Sequence, residues 1–333
     1  MIFYPTIMAL FAGAILVSFM ILYSASYAFQ ILRRWDLKSG SELQLNLERK
    51  TYLVSTLLAY AFGFELISFF LFIFTSDQIH TLLVGAMCAA GSLYANEYGY
   101  PTLIAKIINF LLAGIWLVVN YVDNQAHDYP LIKTKSFFLL LLVPLILIET
   151  FLQANYFLRL EPNIITSCCG TLFSTDALVL PSELGFFSGT RMMAVFYLVL
   201  ILTVGIGSFY SLKEKGAYLF SGASAVAFAV SIVSIFSFVS SYIYELPTHH
   251  CPFCILQKEY GYIGYPLYVT LLGGAIGGLS VGVLMPFRKI KSLSEILPKV
   301  QRRLAMTAST LFFVFAAIVT ARIMLSNLVL KGY

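Results

Sequence analysis

The residues best equipped for chemistry are sulfurs and imidazoles in one short run, Glu245-Leu-Pro-Thr-His249-His250-Cys251-Pro252-Phe253-Cys254-Ile-Leu-Gln257-Lys258-Glu259-Tyr260. A pair spaced CxxC can close a disulfide or share a metal ion. As a redox pair it needs thiolate, which a helix N-terminus and neighbouring cations favour. Pro252 suits a first helical turn, and His249 and His250 can stabilise thiolate or shuttle a proton. As a metal site, His249, His250, Cys251 and Cys254 supply two sulfurs and two imidazoles, a set suited to copper or zinc. A second motif is Thr166-Ser167-Cys168-Cys169-Gly170. Vicinal cysteines bond each other only with backbone distortion. Cys168 and Cys169 are therefore expected to exchange disulfides with Cys251 and Cys254, to complete a metal site, or to pin the loops as static disulfides in an oxidising compartment. No CxxCH is present, so covalent haem is not indicated.

The segment Cys251-Pro-Phe-Cys254-Ile-Leu-Gln257 resembles the CPxCxLQR segment of the DsbB family of membrane disulfide oxidoreductases. The resemblance is confined to these residues, and Lys258 stands where the family has Arg. It implies that Cys251 and Cys254 form the pair that reacts beside a quinone at the outer end of a helix.

Something must position these loops, and the composition says what. The chain has 333 residues, 59% hydrophobic and only 11% charged, with a mean hydropathy of +0.86. Soluble domains carry about 25% charged residues, so this chain cannot coat a globular surface in water. Its apolar residues come in blocks of roughly 20, enough to cross a hydrocarbon core of about 30 Å as helix. The expected fold is an all-α polytopic transmembrane bundle, a single integral membrane domain over 1–333. Full spans are expected near 5–29, 51–75, 103–122, 136–158, 192–212, 217–243, 262–286 and 304–326. The net charge of +5 reflects short loops rather than nucleic-acid binding. Arg33 and Arg34 follow the first span and no Lys or Arg precedes it. That is the reverse of a secretory signal, so the span is expected to be retained.

A ninth apolar stretch, 81–97, is short, rich in small residues and followed by Gly99 and Pro101. If it crossed the membrane, the basic loops 31–50 and 287–303 would lie on opposite faces. If it is a re-entrant or short helix, they share one face with Lys133, Lys135, Lys213 and Lys215, gathering fifteen of the 21 Lys and Arg. The positive-inside rule favours the second arrangement. Loops 159–191 and 244–261 share a face in either case. The charge bias places that face outside the cytoplasm, the periplasmic side if the membrane is a bacterial inner membrane.

Glu65 and Glu149 lie within apolar spans, where a central charge costs roughly 2.5–3.5 kcal/mol on insertion scales. Each is about fourteen residues from the inner end, some 20 Å up a helix, which suggests a proton path or a quinone-facing acid. Tyr262 and its tyrosine neighbours make an aromatic belt or a quinone head-group pocket. Asn96 and Glu97 are candidates to line a small cavity. Cys88 reads as a buried small residue rather than a ligand. Gly273-Gly274-Ala-Ile-Gly277-Gly278 holds overlapping GxxxG spacings for close helix approach.

The leading expectation is a membrane thiol–disulfide oxidoreductase exchanging electrons between an extracytoplasmic thiol partner and a quinone. The second is a copper- or zinc-handling membrane protein served by a metal-carrier partner. The third is a non-catalytic membrane subunit of a respiratory or cytochrome-assembly complex. Membrane lipid is the surrounding partner in all three, and no nucleic acid is expected.

Overall fold

A computed structural model describes residues 4–36, 41–161 and 189–328. Among them, eight helices are long and apolar enough to cross a membrane, in agreement with the expected all-α polytopic bundle. We label the helices α1 (Pro5–Arg34), α2 (Glu42–Ile79), a short α3 (Ala89–Tyr94), α4 (Gly99–Asp123), α5 (Ile132–Leu158), α6 (Gly189–Lys213), α7 (Ala217–Tyr244), α8 (Gly264–Val283) and α9 (Ile296–Leu325).

Lipid as solvent explains their surfaces. Ile15, Leu16 and Phe19 of α1 are 62%, 60% and 75% exposed, an outward apolar face that suits hydrocarbon and not water. A helix satisfies most of its own backbone groups, which is what a lipid-exposed span requires. The segment 81–97 does not form a spanning helix. A 3₁₀ turn at His80–Leu82 leads through Gly85, at φ 83°, into the six residues of α3. At 1.5 Å per residue α3 is about 9 Å long, a short helix as the charge balance suggested.

The chain divides into two compact units: residues 1–76, 93–164 and 289–296, and residues 77–92, 165–288 and 297–333. In the first, α5 packs against both α1 and α4. Val17, Ile21, Phe62, Trp116, Leu142 and Ile146 fill its core, with the Phe62 and Trp116 rings 4.8 Å apart. In the second, α7 packs against α6 and α8, and Tyr210, Phe220, Val281, Ala305 and Ala308 form a core cluster. The glycine run of α8 allows this closeness. A Cβ on Gly278 would fall 2.1 Å from Ser224 Oγ of α7, and one on Gly277 would fall 3.1 Å from Ala308 Cβ of α9.

About two thirds of the way along α7 the helix widens into a π turn at Ile235–Val239. Such turns displace carbonyls from regular pairing and often sit beside functional sites. Here the Phe236 carbonyl receives His250 Nδ1 from the following loop at 3.0 Å.

Candidate functional site: three buried thiols

The second unit brings together three cysteines from two segments far apart in sequence. Cys88, Cys251 and Cys254 are buried and form no disulfide with one another, at 0%, 2% and 5% exposure. Their sulfurs all lie within 4.8 Å of one another, and Cys88 Sγ is 3.5 Å from Cys251 Sγ. Cys88, expected to be a small packing residue, is thus part of the cluster.

The CPFC segment is held by two tyrosines from the helices that flank it. The Tyr244 hydroxyl at the end of α7 donates to the Cys251 carbonyl at 2.5 Å, and Tyr268 of α8 donates to the Pro252 carbonyl at 2.7 Å. The segment closes as a 3₁₀ turn at Cys254–Leu256, with Leu256 N–H on Phe253 O and Gln257 N–H on Cys254 O. Glycine at 264 lets α8 approach, since a Cβ there would lie 2.8 Å from Leu256 Cδ2 and 3.0 Å from Ile255 O.

Pro252, expected in a first helical turn, instead precedes the short turn at Cys254–Leu256. Left-handed backbone at Gly261 (φ 65°) and Tyr262 (φ 55°) separates the turn from α8, which begins at Gly264. The macrodipole of α8 therefore is not what stabilises the Cys251 thiolate. Hydrogen bonds from the Cys254 and Cys88 thiols, joined by the Phe253 and Cys254 amides, pull its pKa well below the usual thiol range, against burial.

Cys88 is positioned by a clamp that ends α2. Asp77 Oδ1 accepts from the Ala89 amide at 3.1 Å and from Gln257 Nε2 at 3.1 Å. Gln257 Nε2 also donates to Met87 O at 2.9 Å. One side chain after the CPFC turn thereby holds the residue on one side of Cys88, while Asp77 holds the residue on the other. His80 packs beside it, with Nδ1 against the Asp77 carbonyl.

The two histidines fare differently. His250 Nδ1 is engaged by Phe236 O and by Ser241 Oγ at 3.1 Å, and burial lowers the His250 pKa. It therefore tends to neutrality and is a poor cationic partner for thiolate. His249 stacks edge-on against Tyr244 at 4.4 Å, and its Nε2 is buried without a hydrogen bond. Neither imidazole belongs to the three-sulfur group. Cys168 and Cys169 lie outside the described residues.

Tyr262, expected near a quinone, is 48% exposed and contacts Tyr265 at 6.3 Å between ring centroids. Asn96 does not line a cavity through its amide nitrogen, which donates to Tyr156 O at 2.8 Å. Exposed Glu97 faces Arg159 at 3.6 Å.

Glu65 and Glu149 meet in the first unit, and they meet over a residue the span pattern concealed. Lys106 of α4 places Nζ 2.5 Å from Glu149 Oε1 and 3.8 Å from Glu65 Oε1. A second buried pair, Lys135 Nζ to Asp123 Oδ2 at 2.7 Å, closes the α4–α5 hairpin. Lys135, counted among loop charges on sequence, is instead 3% exposed. The signal for Lys106 was present as one cation inside an apolar block, matched to two acids at similar depth in other blocks. Asp77 carried no comparable signal.

These features define a polytopic helical membrane protein with a buried three-cysteine centre. No family model matches the chain, and neither does any curated protein or solved structure.

Proposed function

We propose that this membrane protein handles a soft metal ion of the Cu(I) or Zn(II) class at a three-thiolate centre of Cys88, Cys251 and Cys254. The observation that carries the reading is the convergence of three buried sulfurs within 4.8 Å. Metal–sulfur bonds of about 2.3 Å put ligand sulfurs roughly 4 Å apart, inside that spread. A redox pair that trades with a soluble disulfide must present a sulfur to it, whereas these three are at most 5% exposed. Buried thiolate without a counter-charge is costly, and a cation removes that cost. Thiolate sulfur selects soft ions over hard ones. Three sulfurs suffice for Cu(I), while Zn(II) calls for a fourth donor, for which His249 Nε2 is the imidazole without a hydrogen bond.

In this reading the centre faces the extracytoplasmic side, periplasmic if the membrane is a bacterial inner membrane, and receives its ion from a carrier protein. The test is metal content of the full chain purified without air and reconstituted with Cu(I) or Zn(II). One ion per chain is expected, lost in Cys88→Ser as well as in Cys251→Ser. Cys88→Ser binding as the unaltered protein does, or wild-type protein taking up neither ion, would overturn the proposal.

A second reading is favoured by the 3.5 Å approach of Cys88 Sγ to Cys251 Sγ. A Cys88 thiolate attacking a Cys251–Cys254 disulfide would form Cys88–Cys251 and release the Cys254 thiolate. This is the chemistry of a thiol–disulfide oxidoreductase with a quinone acceptor. Cys254→Ala should then accumulate a Cys88–Cys251 bond or a mixed disulfide with a partner under mild oxidation, without any need for metal.

A further inference from the structure

The first unit holds a charge cluster that the thiol centre does not use. Glu65 comes from α2, Lys106 and Asn109 from α4, and Glu149 from α5. All four are buried, 5%, 2%, 1% and 4% exposed. Both oxygens of Glu149 are engaged, because Lys106 Nζ donates to Oε1 at 2.5 Å and Asn109 Nδ2 donates to Oε2 at 2.6 Å. Lys106 donates also to Ser68 Oγ at 3.2 Å, leaving Glu65 as its more distant acid at 3.8 Å. Glu65 and Glu149 thus converge on a single ammonium, Lys106 Nζ.

Two carboxyl groups that share one buried ammonium oppose each other's ionisation. The charge count agrees. One ammonium balances one carboxylate, and a second carboxylate would leave the apolar bundle with uncompensated charge. The Lys135–Asp123 pair in the same unit shows what a purely structural solution looks like. It has one base and one acid, with Ser55 Oγ and Asn120 Oδ1 completing the ammonium shell at 3.0 and 3.1 Å. Glu65 is the surplus acid, where a glutamine would offer the same hydrogen bonds without charge. An independent observation points the same way: Asn109 Oδ1 is buried beside the carboxyl pair with no hydrogen-bond donor. It is an acceptor available to a hydrated proton or a water.

We propose that Glu65 and Glu149 form a reversible proton-binding site within the membrane-spanning part of the protein. The pair shares one exchangeable proton that Lys106 confines to Glu65. Loss of the proton leaves two carboxylates that compete for Lys106, and its return restores neutrality. The groups facing the pair are Ser68 and Phe72 of α2, with the Phe72 ring 5.5 Å from Lys106 Nζ, and Lys106 and Asn109 of α4. Tyr156 lies about two turns farther along α5. The titratable groups of α1, which packs on α5, include Tyr23 and Tyr27, whose hydroxyls meet each other at 3.3 Å. The site stands independently of the metal centre.

Infrared difference spectroscopy of the full chain in lipid nanodiscs, titrated from mildly acidic to strongly alkaline pH, tests the proposal. A carboxylic-acid carbonyl band equivalent to one group per chain should vanish as pH rises and return on reversal. Glu65→Gln, close in shape to the native residue, should abolish the band. Lys106→Met removes the cation that favours ionisation, so the transition should move up by at least about one pH unit. A band that persists unchanged at every pH would overturn the proposal, as would a titrating band that survives both Glu65→Gln and Glu149→Gln. Should the variants misfold, wild-type protein still decides, because its own carboxylic-acid band must shift on glutamate carbon-13 labelling and must titrate reversibly.

Discussion

Gln257 shows how much can depend on one amide nitrogen. It touches both Asp77 Oδ1 and Met87 O, so it fixes the approach of the Cys88 segment to the CPFC turn without supplying a sulfur. Groups of this kind orient ligands, and their loss costs about 10- to 100-fold in metal affinity. Gln257→Ala should therefore weaken Cu(I) or Zn(II) binding by about that factor while leaving stoichiometry at saturation unchanged. A competition titration against a chelator of known affinity measures it, and an unaltered Kd would show that Asp77 positions the segment alone. Asp77→Asn keeps the acceptor oxygen, so it should fall between wild type and Gln257→Ala in the same assay.

Residue by residue, the sequence was only partly legible. Cys251 and Cys254 announced themselves by spacing. Cys88 did not, because a lone cysteine among small residues is indistinguishable from packing until the fold carries it to its partners. Lys106 was passed over inside an apolar span, because its meaning depends on pairing α4 with α2 and α5, which hydropathy does not encode.

Helices were legible because a membrane imposes one length and one solvent. The expected span 103–122 appears as Gly99–Asp123, and 217–243 as Ala217–Tyr244. Interruptions were harder to see. The π turn at Ile235–Val239 and the left-handed backbone at Tyr262 leave no mark in the hydropathy pattern. The glycine run of α8 was readable as close packing, and the structure ranks its members. A Cβ on Gly278 meets both Oγ and Cβ of Ser224, at 2.1 and 2.4 Å, whereas one on Gly273 meets only the end of Leu311 at 3.0 Å. A serine Cβ cannot swing away, but a leucine methyl can. Gly278→Ala should therefore destabilise by about 1–3 kcal/mol, the usual cost of overpacking, while Gly273→Ala stays within about 0.5 kcal/mol. Thermal unfolding in a single detergent compares them, and equal losses would refute the ranking.

At the scale of the whole molecule, charge and chemistry give a connected argument about orientation. Arg33, Arg34, Arg49 and Lys50 flank the α1–α2 junction, and Lys133 lies at α4–α5. Lys213 and Lys215 lie at α6–α7, and Arg288, Lys289, Lys291, Lys299, Arg302 and Arg303 near α8–α9. Removing Lys135 from this set does not change the bias, because its charge is already neutralised by Asp123. The alternate junctions include the loop after α7, where the CPFC turn carries Lys258 as its one Lys or Arg. On the positive-inside rule we propose that the thiol centre faces outward, where copper or zinc delivery and disulfide chemistry are both possible. The native centre cannot report this itself, since its sulfurs are buried. Leu246, 53% exposed in the same loop, can. In a Cys168→Ser/Cys169→Ser background, Leu246→Cys should react with a membrane-impermeant maleimide on intact cells. Lys215→Cys, at the exposed α6–α7 junction, should react only after permeabilisation. The reverse pattern would place the three thiols in a reducing compartment. The disulfide reading would then fail, while a metal centre fed from the cytosol would remain chemically sound.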